Sequence, residues 1–142
     1  MREVEWTDDL SVGIQLIDEQ HKMLIERLNN LATAVEQRHG PENIANTLQF
    51  LIDYTDFHFS AEEHHMAAQQ YPGLDLQKTR HTEFKDTLSN LEADFREEGA
   101  THELAGSIDT LLGNWLLKHI RTVDVEFGQF LRGKGVALTE EG

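Results

Sequence analysis

Between His58 and His65 the chain puts three metal-competent side chains on one face of an otherwise amphipathic helix. The stretch reads His58-Phe-Ser-Ala-Glu62-Glu-His64-His65-Met66. His58 and Glu62 are four residues apart, so on an α-helix they stack on the same face. At 100° per residue His65 lies about 20° from His58, whereas His64 falls about 120° away. Ionisable groups turned toward a core are costly unless something pairs with them, and a metal ion is the most economical partner. Such a helix must meet other elements that bring further ligands to its inward face.

Composition narrows the ligand types. The 142 residues contain no cysteine, which excludes disulfides, zinc fingers and iron–sulfur clusters and leaves histidine and carboxylate as metal donors. A net charge of −14 argues against nucleic acid and anionic membrane surfaces as partners. No apolar run approaches the roughly 20 residues of a membrane span. The opening Met1-Arg-Glu-Val-Glu-Trp6 lacks the apolar core of a signal peptide, so the expected location is the cytoplasm.

Taken in order, residues 1–17 read as an ordered arm carrying Trp6, Val12, Ile14 and Ile17. Asp18 is placed to cap a first helix over about 18–38, with His21, Leu24, Ile25, Leu28, Leu31, Ala32 and Val35 on one stripe. Gly40-Pro41 starts a second helix over about 41–69, in which Ile44, Leu48, Leu51 and Thr55 lead into His58, Glu62 and His65. Tyr71-Pro72-Gly73 breaks it. A third helix, about 74–97, aligns Leu74, Gln77, His81, Phe84, Leu88, Leu91 and Phe95. A fourth, about 101–131, aligns Ile108, Leu112, Trp115, Leu116, His119, Val123, Glu126 and Phe130, and the last residues read as a loose tail.

Four amphipathic segments joined by short turns predict an all-α fold: an antiparallel up-down-up-down four-helix bundle with an N-terminal arm, one domain over 1–142. Each helix puts a histidine on its apolar stripe: His21, then His58 with His65, His81, and His119. A single buried histidine in a helix is unremarkable. Four helices doing so together match the way metal sites are built inside bundles.

At this point the chain resembles the hemerythrins, the single-domain bacterial ones in particular. The resemblance runs from Trp6 to about Leu131. It rests on Val12-Gly-Ile14, Ile17-Asp-Glu-Gln-His21, His58-Phe-x-x-Glu62, Met66, Tyr71-Pro72, His81-x-x-Phe84, Trp115-Leu-x-x-His119-Ile120 and Asp124. It implies two non-haem iron ions with an oxo or hydroxo bridge and reversible binding of dioxygen. It assigns His21 and His58 to one iron, His81 and His119 to the other, and Glu62 and Asp124 as bridges. Leu116 and Trp115 match the family's apolar surroundings of the oxygen site. Asp124 comes from the resemblance alone, since it lies five residues after His119, about 140° round an α-helix.

One position departs from the family pattern. The family's third histidine on the second iron lies four residues before His81, where this chain has Gln77. Three readings compete. The second iron loses a ligand; or Gln77 ligates through its amide oxygen or holds a water; or His65, one turn beyond Glu62, moves in as a replacement. The last is favoured because an imidazole is gained at 65 where one is lost at 77. His39, His64 and His102 read as surface residues, Glu63 as solvated, and Glu126 as a supporting or end-of-bundle residue.

The expected function is reversible dioxygen binding for carriage, storage or sensing by a monomer. The rival is a di-iron enzyme, an oxidase, peroxidase or nitric-oxide reductase, for which nitric oxide or peroxide would be the small-molecule partner.

Overall fold

The computed structural model describes residues 4–136 and 138. The first three residues and the end of the expected tail, 139–142, lie outside the described residues.

A 3-10 turn, Asp8–Leu10, precedes three long helices: α1 (Gln15–Glu36), α2 (Pro41–Ala68) and α3 (Leu74–Glu98). The fourth rod, 102–133, is one continuous right-handed run whose winding changes along its length. It comprises α4 (His102–Ser107), a π-helical segment π1 (Ile108–Gly113), α5 (Asn114–His119), a second segment π2 (Ile120–Asp124) and α6 (Val125–Gly133). No strand occurs among the described residues. Pro41 begins α2, where its missing N–H is no loss, and the φ of +78° at Gly99 ends α3. The turns 37–40, 69–73 and 99–101 keep successive helices adjacent, and α1 packs on α2, α2 on α3, and α4 on both α1 and α3.

The stripes meet in a main core containing Leu24, Leu28, Leu51, Phe59, Phe84, Leu112, Leu116 and Ile120. A second cluster, Val12, Ile14, Ile17, Met66, Phe127 and Leu131, closes the end where the arm crosses.

Asp18 does not cap α1. The helix begins earlier, at Gln15, and the Asp18 carboxylate instead accepts a hydrogen bond from the Val12 backbone N–H at 2.9 Å and another from the Ser11 hydroxyl. It therefore pins the arm to the helix. The Asn29 amide does the same further back, pairing with both backbone groups of Val4. The arm runs so close to α6 that a Cβ on Gly128 would sit 2.2 Å from the Val12 carbonyl oxygen.

The fourth rod corrects the expected stripe. After His119 the buried positions are Ile120, Asp124, Phe127, Gly128 and Leu131, not Val123, Glu126 and Phe130. The cause is the winding. In π2 the Val125 N–H bonds to the carbonyl of Ile120, five residues back, so the turn holds more residues than an α-turn and rotates everything downstream. Glu126 is carried out to solvent.

Candidate metal centre

Helical spacing delivers His21 from α1, His58 and Glu62 from α2, His81 from α3 and His119 from α5 to the middle of the bundle. Asp124 arrives from π2, whose wider turn brings it onto the face of His119 that an unbroken α-helix would have denied it. All six side chains are buried, none more than 3% exposed.

They form two groups, His21 with His58 and Glu62, and His81 with His119 and Asp124. Within each, the ligand atoms lie within 4.8 Å of one another. The carboxylates join the groups. Glu62 Oε1 is 3.3 Å from His58 Nε2 and 3.4 Å from His81 Nε2, and its Oε2 is 3.6 Å from His21 Nε2. Asp124 Oδ1 is 3.2 Å from His119 Nε2, and Oδ2 is 3.0 Å from His21 Nε2. Each carboxylate thus touches one imidazole or more of both groups.

These contacts are close but not aligned as hydrogen bonds. Nε2 of His21, His81 and His119 and both oxygens of Glu62 are buried without a hydrogen-bond partner. Orphaned buried lone pairs cost roughly 1–3 kcal/mol each, so a cluster of them with no cation would be an expensive way to fill a core. Two cations resolve it. The residues fit a two-metal centre, and imidazole with carboxylate suits iron, manganese or zinc.

Two of the imidazoles are held from behind. His58 Nδ1 donates to Gln20 Oε1 at 2.8 Å and His81 Nδ1 donates to Glu63 Oε2 at 2.7 Å. The acceptors fix the tautomer and leave Nε2 free for a metal. Phe59 stacks on the His81 ring at 3.8 Å, and Trp115 stacks on His119 at 4.5 Å.

In the metal-free chain, protons take the place of cations. Burial works to lower the pKa of His21, but Asp124 and Glu62 outweigh it and raise it from 6.5 to about 10. Burial likewise opposes protonation of His81, and Glu62, Glu63 and Asp124 overcome it. Burial would raise Glu62, yet the charge of His58 and contacts from His21 and His81 hold it well below the usual carboxylate range. Asp124 is pushed up by burial and by Glu62, and is brought down by His119 and His21.

His65 joins neither group. The buried stripe of α2 centres on Thr55, Glu62 and Met66, and Met66 takes the inward slot of the last turn with no exposure while His65 stays half-buried at the stripe's edge. Gln77 is fully buried beside the cage, and its Nε2 donates to Asp124 Oδ1 at 2.9 Å. Leu116 is buried in the core, and Trp115 is half-buried against His119. His64 and His102 are exposed, while His39 is half-buried and pairs with Gln37 and Asn43.

Two supporting residues were not foreseen. Gln20 stands next to His21 and had no stripe to mark it as inward. Glu63 was expected in solvent because it lies off the α2 stripe, but that side of α2 faces α3, where His81 waits. A search for an acceptor within reach of each histidine's second nitrogen would have found both.

Helices converging on a paired histidine–carboxylate cage define the class: a helical-bundle protein with a dinuclear metal centre of nitrogen and oxygen donors. A model of the hemerythrin HHE cation-binding domain matches residues 12–131, and the chain belongs to the hemerythrin family. It is 34% identical to a bacteriohemerythrin of Pseudomonas aeruginosa over 134 residues, covering 93% of this chain and 84% of that protein. It is 30% identical to a myohemerythrin of Sipunculus nudus over 122 residues, covering 86% and 88%. A crystal structure of a hemerythrin point mutant superposes with a TM-score of 0.78 at 24% identity, over 91% of this chain and 97% of that one, which speaks to the fold.

Proposed function

We propose that His21, His58, Glu62, His81, His119 and Asp124 hold two non-haem iron ions, and that the chain is a reversible dioxygen-binding protein used for carriage or storage. The observation that carries this is the convergence of buried, hydrogen-bond-free ligand atoms from the four rods on one small volume. The membership in the hemerythrin family supplies the metal's identity. Held by these residues, two ferrous ions would supply the two electrons that reversible dioxygen binding needs.

The protein's part is to fix and to shield. Gln20 and Glu63 lock the rings of His58 and His81, so the cage need not reorganise when a ligand arrives. Phe59 and Trp115 cover the flat faces of His81 and His119. Leu116 and Ile120 are buried on the same rod and help to exclude the water whose entry would drive irreversible oxidation. These apolar walls favour a carrier over an oxidase, peroxidase or nitric-oxide reductase. We place it in the cytoplasm as a monomer. No helix among the described residues is long and apolar enough to cross a membrane.

The test is optical. Protein loaded anaerobically with ferrous iron is cycled between oxygen and argon. A visible charge-transfer band that rises and falls through several cycles supports the carrier. A single irreversible change contradicts it.

A further inference from the structure

We propose that Gln77 keeps a coordination position on the second metal open to an exchangeable ligand, and that its Oε1 accepts a hydrogen bond from that ligand. The second metal is the one assigned to His81, His119 and Asp124, so the inference rests on the two-metal reading above.

The two groups are equal in donors: each has two imidazoles and one carboxylate of its own, with the carboxylate of the other group within reach. Nothing among the described residues gives the second group a third imidazole, because His65 stays out of it. The residue that stands beside it is Gln77, one turn before His81 on α3 and without solvent exposure.

Its amide has only one sensible orientation. Asp124 Oδ1 is a pure acceptor, so the NH2 end must face it, as the 2.9 Å contact has it. That hydrogen bond turns the carbonyl away from Asp124. Oε1 is left buried with no hydrogen-bond partner. Oε1 shares its amide carbon with Nε2, so although it faces away from Asp124 it stays on the side of the cage where Asp124 Oδ1 lies 3.2 Å from His119 Nε2.

A buried acceptor without a donor costs roughly 1–3 kcal/mol. A ligand that brings a proton, such as water or hydroxide, removes that cost. An anion that brings none, such as azide, meets the carbonyl lone pairs instead. Gln77 therefore selects as well as admits. It makes room where an imidazole would block, and it prefers a protonated occupant.

Two probes separate the parts of this proposal. Wild type, Gln77→His and Gln77→Leu are loaded anaerobically with ferrous iron, the iron per chain is counted, and each is titrated with nitric oxide while the iron–nitrosyl signals are followed by Mössbauer spectroscopy. We expect two nitric oxides per chain in wild type and in Gln77→Leu, and one in Gln77→His. The ferric proteins are then titrated with azide, and its second binding step is expected to be at least about tenfold tighter in Gln77→Leu than in wild type, a factor equal to about 1.4 kcal/mol. Two irons but only one nitric oxide in wild type would overturn the open position and leave the two-metal reading standing. An unchanged azide affinity would overturn the role of Oε1. Fewer than two irons in wild type would overturn the two-metal reading and this proposal with it.

Discussion

His81 Nδ1 lies 2.7 Å from Glu63 Oε2, so the ring that offers Nε2 to the second metal is anchored from α2, the same helix that carries His58 and Glu62. Three consecutive uses of α2 follow: a ligand, a carboxylate shared between the two groups, and a clamp on a ligand from the neighbouring helix. Glu63 is about a quarter exposed, so its partner is reached from the surface side of the cage.

Removing that clamp should weaken one metal selectively. Glu63→Leu is expected to lower affinity for the second iron by about 10- to 100-fold while the first is nearly unchanged, and Gln20→Leu should do the converse. Competition with a graded series of chelators measures both. Equal loss at the two sites in either variant would contradict the assignment of one clamp to one metal.

Metal uptake should release protons. His21 must lose its proton to become a ligand, and its pKa in the metal-free chain is about 10. Apparent iron affinity is therefore expected to rise with pH from neutrality toward 10. An indicator dye in weak buffer should report proton release on loading at pH 7. No release would mean that His21 is already neutral in the empty cage.

The same shifts set the pH dependence of metal-free stability. A histidine raised from 6.5 to about 10 contributes stability that is complete below about 6.5 and is lost as pH rises through 10. Glu62 and Asp124, lowered from 4.5 and 3.8, contribute stability that is present above those values and is lost as pH falls below them. Metal-free protein should therefore melt highest between about pH 4.5 and 6.5 as far as these groups decide it. Thermal melts across pH 3 to 10 check the shape, and a maximum near pH 9 would contradict it.

Gly128 is where the arm and α6 nearly touch. Gly128→Ala puts a methyl group against the Val12 backbone, which cannot yield as a side-chain tip could. A loss of about 1–3 kcal/mol in denaturant unfolding is expected, typical of overpacking a tight contact. A neutral result would mean that the arm is free to lift away.

His65→Ala should still bind two irons, with an unchanged spectrum. The expectation that an imidazole at 65 replaces the one missing at 77 treated the α2 stripe as centred on His58. It is centred on Thr55, Glu62 and Met66, which leaves His65 at the margin. Loss of an iron from His65→Ala would restore the replacement.

What could be read from the chain beforehand was whatever follows a constant helical period. The stripes of α1 and α3, the helix ends at Pro41 and Gly99, and five of the six cage residues all lie within regular α-turns. Asp124 does not, because π2 inserts its extra residue between it and His119, and only likeness to a family pattern pointed to it. The same segment displaced Glu126 in favour of Phe127, an error of one position that no α-periodic template avoids. Glu63 was read as solvated for a different reason. Its side chain is spent on a neighbouring helix, and stripe arguments consider one helix at a time.

Iron stoichiometry in single-ligand variants bears most directly on the two-metal cage. Wild type should hold two irons per chain after anaerobic loading and desalting. His58→Ala and His119→Ala, each removing one imidazole from a different group, should each retain one. Two irons in either variant, or one or none in wild type, would contradict the cage described here.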